Sequence, residues 1–333
     1  MRRERRRRAV LRVLHETSRP LGSHEIVSEL ARRGIDLAER TVRSYLAEFR
    51  AEGLARREGR RGYVLTARGR QTLDDAAGLE RVSLLSAKID RMTFQMDFDL
   101  RARRGNLVAN TTLTRRDALE ACADTICEVF RKGYAMGSLL GLLGPGERVG
   151  AWEVPAGRVG FCTVCSITVN GVLLKMGIPV RSRFGGLLEI RDGRPVRFAE
   201  VILYDGTSID PLEIFIRGRM TDYCGAVERG AGRIGASFRE IPMESRETVV
   251  EAAGELRDAG LGAILEVGRP GAELYGIPVP EGRVGMVVVG GLNPASVLEE
   301  RGYPAESRAL CGFLPYERFF PYHRLRDELR KLQ

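Results

Sequence analysis

The chain has 333 residues, 44% of them hydrophobic and 29% charged, which predicts a globular protein of two or three domains. No apolar run approaches the roughly 18 residues of a membrane span and no apolar segment follows the basic N-terminus, so a cytoplasmic protein is expected, with no membrane partner. Six cysteines spread over this length exclude a disulfide framework.

The net charge of +9 is unevenly placed. Residues 1–75 hold 19 arginines, no lysine and 11 acidic residues, a balance of +8, and the remaining 258 residues are nearly neutral. This asymmetry predicts a basic nucleic-acid-binding module joined to a near-neutral body.

The run Arg2 to Arg8 reads as a charged, mobile arm. Val10, Leu11, Val13 and Leu14 then form one apolar helix face, broken at Pro20-Leu21-Gly22. Ser23 is placed to cap a second helix with Ile26, Val27 and Leu30 inward, stopping at Gly34. Asp36 and Glu39 have capping-box spacing for a third helix, in which Val42, Tyr45, Leu46 and Phe49 recur at helical period. Its other face carries Arg40, Thr41, Arg43 and Ser44, side chains able to reach base edges or phosphates. A short hairpin follows, with Arg56, Arg57, Arg60 and Arg61 at its tip. Three short helices and a basic hairpin predict a winged helix-turn-helix over residues 1–78, with double-stranded DNA as partner. A further helix, Thr66 to Leu79, leads out to the body.

The body, residues 79–333, begins with an alternation of Phe94, Met96, Phe98 and Leu100 that predicts a half-buried strand. Asn106 to Leu113 is a second strand. Thr114 and Asp117 open a helix with Leu119, Cys122, Ile126, Val129 and Phe130 inward, ended by Gly133. After a Gly-rich loop comes Gly157 to Glu189, with the form of a strand, a polar turn and a short helix. The same order returns downstream. Ile234 to Ile241 is a strand, and Ser245 caps a helix with Val249, Ala253 and Leu256 inward. Val279-Pro-Glu-Gly-Arg-Val-Gly then matches Val154-Pro-Ala-Gly-Arg-Val-Gly. The expected fold is a multidomain mixture of helices and strands. An N-terminal winged helix precedes an internally duplicated α/β sensing domain with related halves over about 106–190 and 233–315.

Three helix starts in the body are suited to an anion. Asp210, Pro211 and Glu213 make one, next to Thr207 and Ser208. Thr168 begins the second, and Asn293, its counterpart in the repeat, caps the third. Cys162 and Cys165 form a CxxC in a strand-like run, where residues three apart point to opposite faces; this predicts buried thiols rather than a metal or redox pair. The chain has three histidines, two of them in the basic module, and no Walker, GxGxxG, HExxH or Ser/His/Asp pattern. The body reads as a sensor and not as an enzyme, with no cofactor and no metal.

The chain resembles the NrpR family of archaeal nitrogen-regulatory repressors. The resemblance rests on the winged helix containing Glu39-Arg-Thr-Val-Arg-Ser-Tyr-Leu and on Thr163-Val-Cys-Ser-Ile-Thr-Val-Asn-Gly-Val-Leu-Leu. Gly177-Ile-Pro-Val, Phe184-Gly-Gly-Leu-Leu-Glu and Tyr204-Asp-Gly-Thr-Ser-Ile-Asp-Pro-Leu-Glu extend it over nearly the whole length. It implies a homodimeric repressor of nitrogen-assimilation genes on a palindromic operator, released when 2-oxoglutarate binds the regulatory domain. Association with other transcription regulators stays open. A small dianion needs backbone N–H groups, hydroxyls and a cation. The candidate ligand residues are Thr163, Cys165, Ser166, Thr168, Asn170, Gly171, Gly185, Gly186, Thr207, Ser208 and Asn293, with Lys175, Arg181 or Arg183 as the charge. Two alternatives remain: a different small acid or an amino acid as effector, or an enzyme targeted by its winged helix.

Overall fold

The computed structural model describes residues 2–17, 19–59, 61–70, 72–73 and 84–332. The chain divides into two compact units, Met1–Ser83 and Leu84–Gln333.

The first unit contains α1 (Arg2–Glu16), α2 (Ser23–Arg32), α3 (Glu39–Ala51), β1 (Ala55–Arg57) and β2 (Tyr63–Leu65). Its core is the apolar face of each helix, including Val10, Val13, Ile26, Leu30, Val42, Leu46 and Phe49, closed by Leu54 and Leu65. β1 and β2 pair antiparallel as the wing. The arginine run departs from the expected arm by forming the first turns of α1. Arginine is a good helix former, and α3 supplies counter-charges: Arg3 pairs with Glu48 and Arg7 with Glu48 and Glu52. The caps also differ from expectation. α2 starts at Gly22, whose N–H donates to Glu25, and Ser23 is its first residue. Ala38 precedes α3, and Glu39 accepts from Ser23 Oγ rather than closing a capping box with Asp36. Most of the outgoing helix expected after Thr66 lies outside the described residues.

The second unit opens with α4 (Leu85–Gln95), where a strand is expected from Phe94 onward. Leu85, Ile89, Met92 and Met96 recur at helical spacing and are buried, while Phe94 is 82% exposed. The short alternation at the end of this stretch was the wrong period; the longer one before it decides. Then come β3 (Asn106–Thr114), α5 (Arg116–Arg131), β4 (Leu139–Leu143), the two-residue strands β5 (Arg148–Val149) and β6 (Trp152–Glu153), β7 (Val159–Val164), α6 (Thr168–Lys175), β8 (Arg181–Arg191) and β9 (Arg194–Leu203). α7 (Pro211–Arg217) and α8 (Tyr223–Glu228) link to β10 (Gly232–Pro242), α9 (Arg246–Asp258), β11 (Ile264–Pro270), β12 (Arg283–Val289), α10 (Asn293–Glu300), β13 (Glu306–Pro315), β14 (Phe320–Pro321) and α11 (Leu325–Lys331). In α9, Ala252 rather than Ala253 is the fully buried position.

The element order β3-α5-β4-β7-α6-β8 recurs as β10-α9-β11-β12-α10-β13. The two series do not form two separate sheets. One antiparallel sheet has the order β13-β3-β7-β4-β14 and the other β11-β12-β10-β8-β9. Each half therefore builds three adjacent strands and lends its fourth to the other half: β8 lies against β10, and β13 against β3. One core joins α4, α6 and α9 through Met92, Val172, Val249 and Leu256. The other joins α5 and α10 through Ile126, Phe130, Ala295 and Leu298. With the fourth strands exchanged, the turns before α6 and α10 meet at the seam between the halves.

Candidate functional site

Two faces are candidates, one in each unit. In the winged helix, α3 buries Val42, Tyr45, Leu46 and Phe49, which fixes Arg40, Arg43 and Ser44 on the exposed side with Thr41 half-buried. Arg43 Nη2 is held by Glu39 at 2.7 Å and its Nε donates to Ser23 Oγ. Arg40 has no ion pair among the described residues, so its charge is open to a phosphate or a base edge. On the wing, Arg56 pairs with Glu58, Arg57 and Arg61 are exposed, and Arg60 lies outside the described residues.

In the regulatory unit the turn before α6 carries Cys165 and Ser166, and the turn before α10 carries Gly290 and Gly291. The two turns touch. A Cβ on Gly291 would lie 2.3 Å from the Val164 carbonyl oxygen and 2.4 Å from Asn110 Nδ2, so only glycine lets them meet. Between them lies a polar seam lined by Asn110, Ser166, Tyr204, Asp210 and Ser237. The space a water can occupy there is about 20 Å³, room for one molecule.

The cation at this seam was not among those expected. Arg239, in β10, is 1% exposed. Its Nη1 donates to Ser166 O at 3.0 Å and to Asn170 Oδ1, its Nη2 donates to Ser166 Oγ at 2.9 Å, and its Nε has no partner. All three acceptors are neutral, and no carboxylate among the described residues pairs with it. Burial lowers its pKa to about 10, which leaves it charged at neutral pH. Its neighbour Glu240 faces the opposite side of the strand, where it pairs with Arg183 at 2.8 Å and Arg181 at 3.8 Å. Beside Arg239, β8 carries one extra residue, so that Phe238 pairs with Phe184 and Arg239 with Ser182. In the sequence Arg239 is one charged residue within the strand Ile234 to Ile241, with nothing nearby in the chain to mark it as buried. Its guanidinium is covered by Ser166 and Asn170 of the first half, a contact across the seam.

The other expected ligand residues divide. Ser166 and Asn170 are brought together on Arg239, and Asn170 Nδ2 donates to Ser182 Oγ at 3.0 Å; Thr168 is buried in the same turn with its hydroxyl without a partner. Thr163 is buried on β7, in the other sheet, at 3.4 Å from Asn110 Nδ2. Burial pushes the Cys162 and Cys165 thiols up to about 12, and both cysteines are free. Gly171, Gly185 and Gly186 are close-packing positions, against Met96, Pro211 and the Glu200 carbonyl. Thr207 bonds within its own loop to Ile209, and Ser208 is exposed. Leu292, not Asn293, precedes α10; Ser245 does stand at the N-cap of α9 as expected, with its Oγ donating back to Pro242 O rather than capping the helix. Asp210 does cap α7, accepting from Leu212 N–H at 2.9 Å. As a residue it is only half-buried, but its carboxyl lies beside Cys165, Tyr204 and Glu213. Burial and the Glu213 charge push it up to about 7.

A wider groove of about 450 Å³ lies between α6 and α9. There Lys175 and Arg101 are balanced by Asp99 and Glu255, and Lys175 is already bonded to the Phe98 carbonyl at 3.0 Å. That surface has no net charge to attract a dianion.

Comparison with known proteins gives a consistent result. Residues 82–320 match the family described as NrpR regulatory domains NRD1 and 2, and residues 8–73 match the winged-helix domain of ribonuclease R. The chain is 33% identical to the global nitrogen regulator NrpRI of Methanosarcina mazei, covering 92% of this chain and 95% of that one. It is 31% identical to the global nitrogen regulator NrpR of Methanococcus maripaludis over 90% of its own length, spanning 52% of that longer protein. The crystal structure of a nitrogen repressor-like protein from Methanococcus jannaschii superposes with a TM-score of 0.60 at 28% identity, covering 72% of this chain and 98% of that one. A winged helix followed by this regulatory unit, with the family match running through both turns and Arg239, places the chain in the NrpR family of nitrogen regulators.

Proposed function

We propose that this chain is a DNA-binding repressor of nitrogen-assimilation genes whose operator affinity is lowered by 2-oxoglutarate bound between the two halves of the regulatory unit. The observation that carries the reading is Arg239: a buried guanidinium with neutral partners, at the seam where the two turns meet. A buried cation without a counter-ion is costly, and an anionic ligand offsets that cost. The seam as described admits one water, so a five-carbon diacid enters only when the halves part. That parting is the conformational change that alters DNA binding. The winged helix and the names of the relatives support the DNA and nitrogen parts of the reading. A homodimer on a palindromic site follows from the family and from the way paired recognition helices read successive major grooves.

The test is operator binding. Duplexes selected from a random pool by the purified chain give the operator, which is then titrated with 2-oxoglutarate, glutarate and glutamate. A ligand that couples to DNA release with roughly 1–3 kcal/mol lowers affinity about 5–150-fold. Unchanged affinity with every acid removes the effector from the reading, and failure to select any duplex removes the repressor.

On the DNA side, Arg40→Ala is expected to weaken operator binding by about 1–3 kcal/mol and to relax preference at the base pairs it faces. Arg57→Ala on the wing is expected to reduce the slope of log affinity against log salt by about 1 while leaving sequence preference intact. Competition binding at several salt concentrations measures both.

A further inference from the structure

The repeat supplies two turns, and the strand registers show which residues correspond. Ala109 pairs with Val164, and Ala236 pairs with Val289 at the equivalent place in the second half. Counting along the strands from these pairs, Thr112 stands where Arg239 stands. Along the turns, Gly291 corresponds to Ser166, Asn293 to Thr168, Ala295 to Asn170 and Ser307 to Ser182.

The two places differ in chemistry. Around the first turn, the groups without a partner are the Thr168 hydroxyl and a donor on a cation, Arg239 Nε. Around the second the guanidinium that comes near, Arg217, donates to Ser307 O at 3.4 Å and already has a carboxylate, Glu213, at 3.3 Å. Thr112 Oγ1 and Ser307 Oγ bond to each other at 2.9 Å and are both buried. Asn293 spends its amide hydrogens on the carbonyls of Tyr134 and Gly235, each at 2.8 Å, and its Oδ1 is left without a partner. An unpartnered buried acceptor repels an anion, and an unpartnered buried guanidinium N–H attracts one. The position of Ser166 is taken by Gly291, where even a methyl group would strike the first turn.

We propose that the regulatory unit has one anion site and not two: Arg239, with Ser166 and Asn170, takes a carboxylate of the effector, and the second turn is a structural copy that binds none. The inference rests on the effector reading above and adds its place and stoichiometry. The incoming carboxylate replaces the Asn170 and Ser166 oxygens on the guanidinium, which forms a two-pronged bond to it. Freed from Arg239, the turn before α6 moves relative to β10, which belongs to the other half. The bond that recognises the ligand is therefore also a bond across the seam.

Isothermal titration calorimetry of the full-length chain with 2-oxoglutarate, glutarate and citrate tests this. One acid bound per chain is expected. Asn170→Asp places a carboxylate on Arg239 from within the chain, at unchanged side-chain size. It is expected to weaken binding about 100-fold, as when a buried charge pair is denied its partner, while the melting temperature holds or rises. Ser296→Ala, beside the second turn, is expected to leave affinity unchanged. Two acids per chain, full affinity in Asn170→Asp, or lost affinity in a folded Ser296→Ala would each overturn the single site. If glutarate or citrate binds once per chain and is lost in Asn170→Asp while 2-oxoglutarate gives no heat, the site stands and the effector assignment falls. If none of the acids binds, both fall.

Discussion

At pH 8 the Asp210→Asn variant is expected to be more stable than the unaltered chain by roughly 4 kcal/mol, and near pH 4 to match it. In the unfolded chain Asp210 ionises near 3.8; in the folded one it keeps its proton up to about 7. Burial is the largest cause and the Glu213 charge the next, opposed by the N–H groups of Leu212 and Glu213 and by the more distant Lys88. Between these two values the folded state holds a proton the unfolded state has lost. Stability therefore falls as pH rises, by about 1.4 kcal/mol per unit, and levels off above about 7. Asparagine keeps the oxygen that caps α7 and has no proton to lose. Urea unfolding of both proteins at half-unit pH steps measures the difference, and parallel curves across the range would refute it. The same group is expected to shape binding of the proposed effector. Asp210 shares the seam with Tyr204, Cys165 and, through Ser166, Arg239, so an anion entering there opposes its ionisation. Binding of the acid is expected to take up a proton and to tighten as pH falls from 8 to 6, and Asp210→Asn is expected to remove that dependence. Calorimetry in buffers of different ionisation enthalpy reads the proton directly.

Phe238→Ala is expected to cost about 3–5 kcal/mol, the range for removing a large buried aromatic side chain. Phe238 is fully buried in β10. Its ring stacks on Phe184 at 5.4 Å between centroids and meets Phe198 edge-on at 6.2 Å. Gly285 gives it room, since a Cβ there would lie 2.8 Å from the ring. Phe184 sits on β8, the strand that the first half lends to the second. The substitution therefore removes packing that joins the halves as well as packing within the second half. The midpoint of urea unfolding is expected to fall with little change in slope. A loss below about 1 kcal/mol would mean that the exchanged strand is held by its backbone ladder alone.

The winged helix was legible because its information is local. Helical period places Val42, Tyr45, Leu46 and Phe49 inward and so fixes Arg40, Arg43 and Ser44 outward, whatever else the chain does. What departs from that reading there depends on a distant contact. The arginine run became helix because α3 offers Glu48 and Glu52 opposite it, a contact between residues more than 40 apart. In α4 two periods overlapped, and the shorter one misled at Phe94.

In the regulatory unit the sequence by itself determined the strand-turn-helix repeat, the glycines and polar residues of its turns, the burial of Cys162 and Cys165, and the cap at Asp210. All of these depend on neighbours within a few positions. It did not determine which strand pairs with which. β8 and β13 carry the alternation that suits either half, and the exchange is decided by which pairing buries both faces of β10 and β3. That decision left Arg181 and Arg183 to answer Glu240 and Arg239 to answer only neutral oxygens. It also made the two similar turns unlike, with a guanidinium beside one and a threonine–serine pair beside the other. Side-chain charge is written in the sequence; whether a charge is paired or left waiting depends on long-range contacts, and these the tertiary structure alone decides.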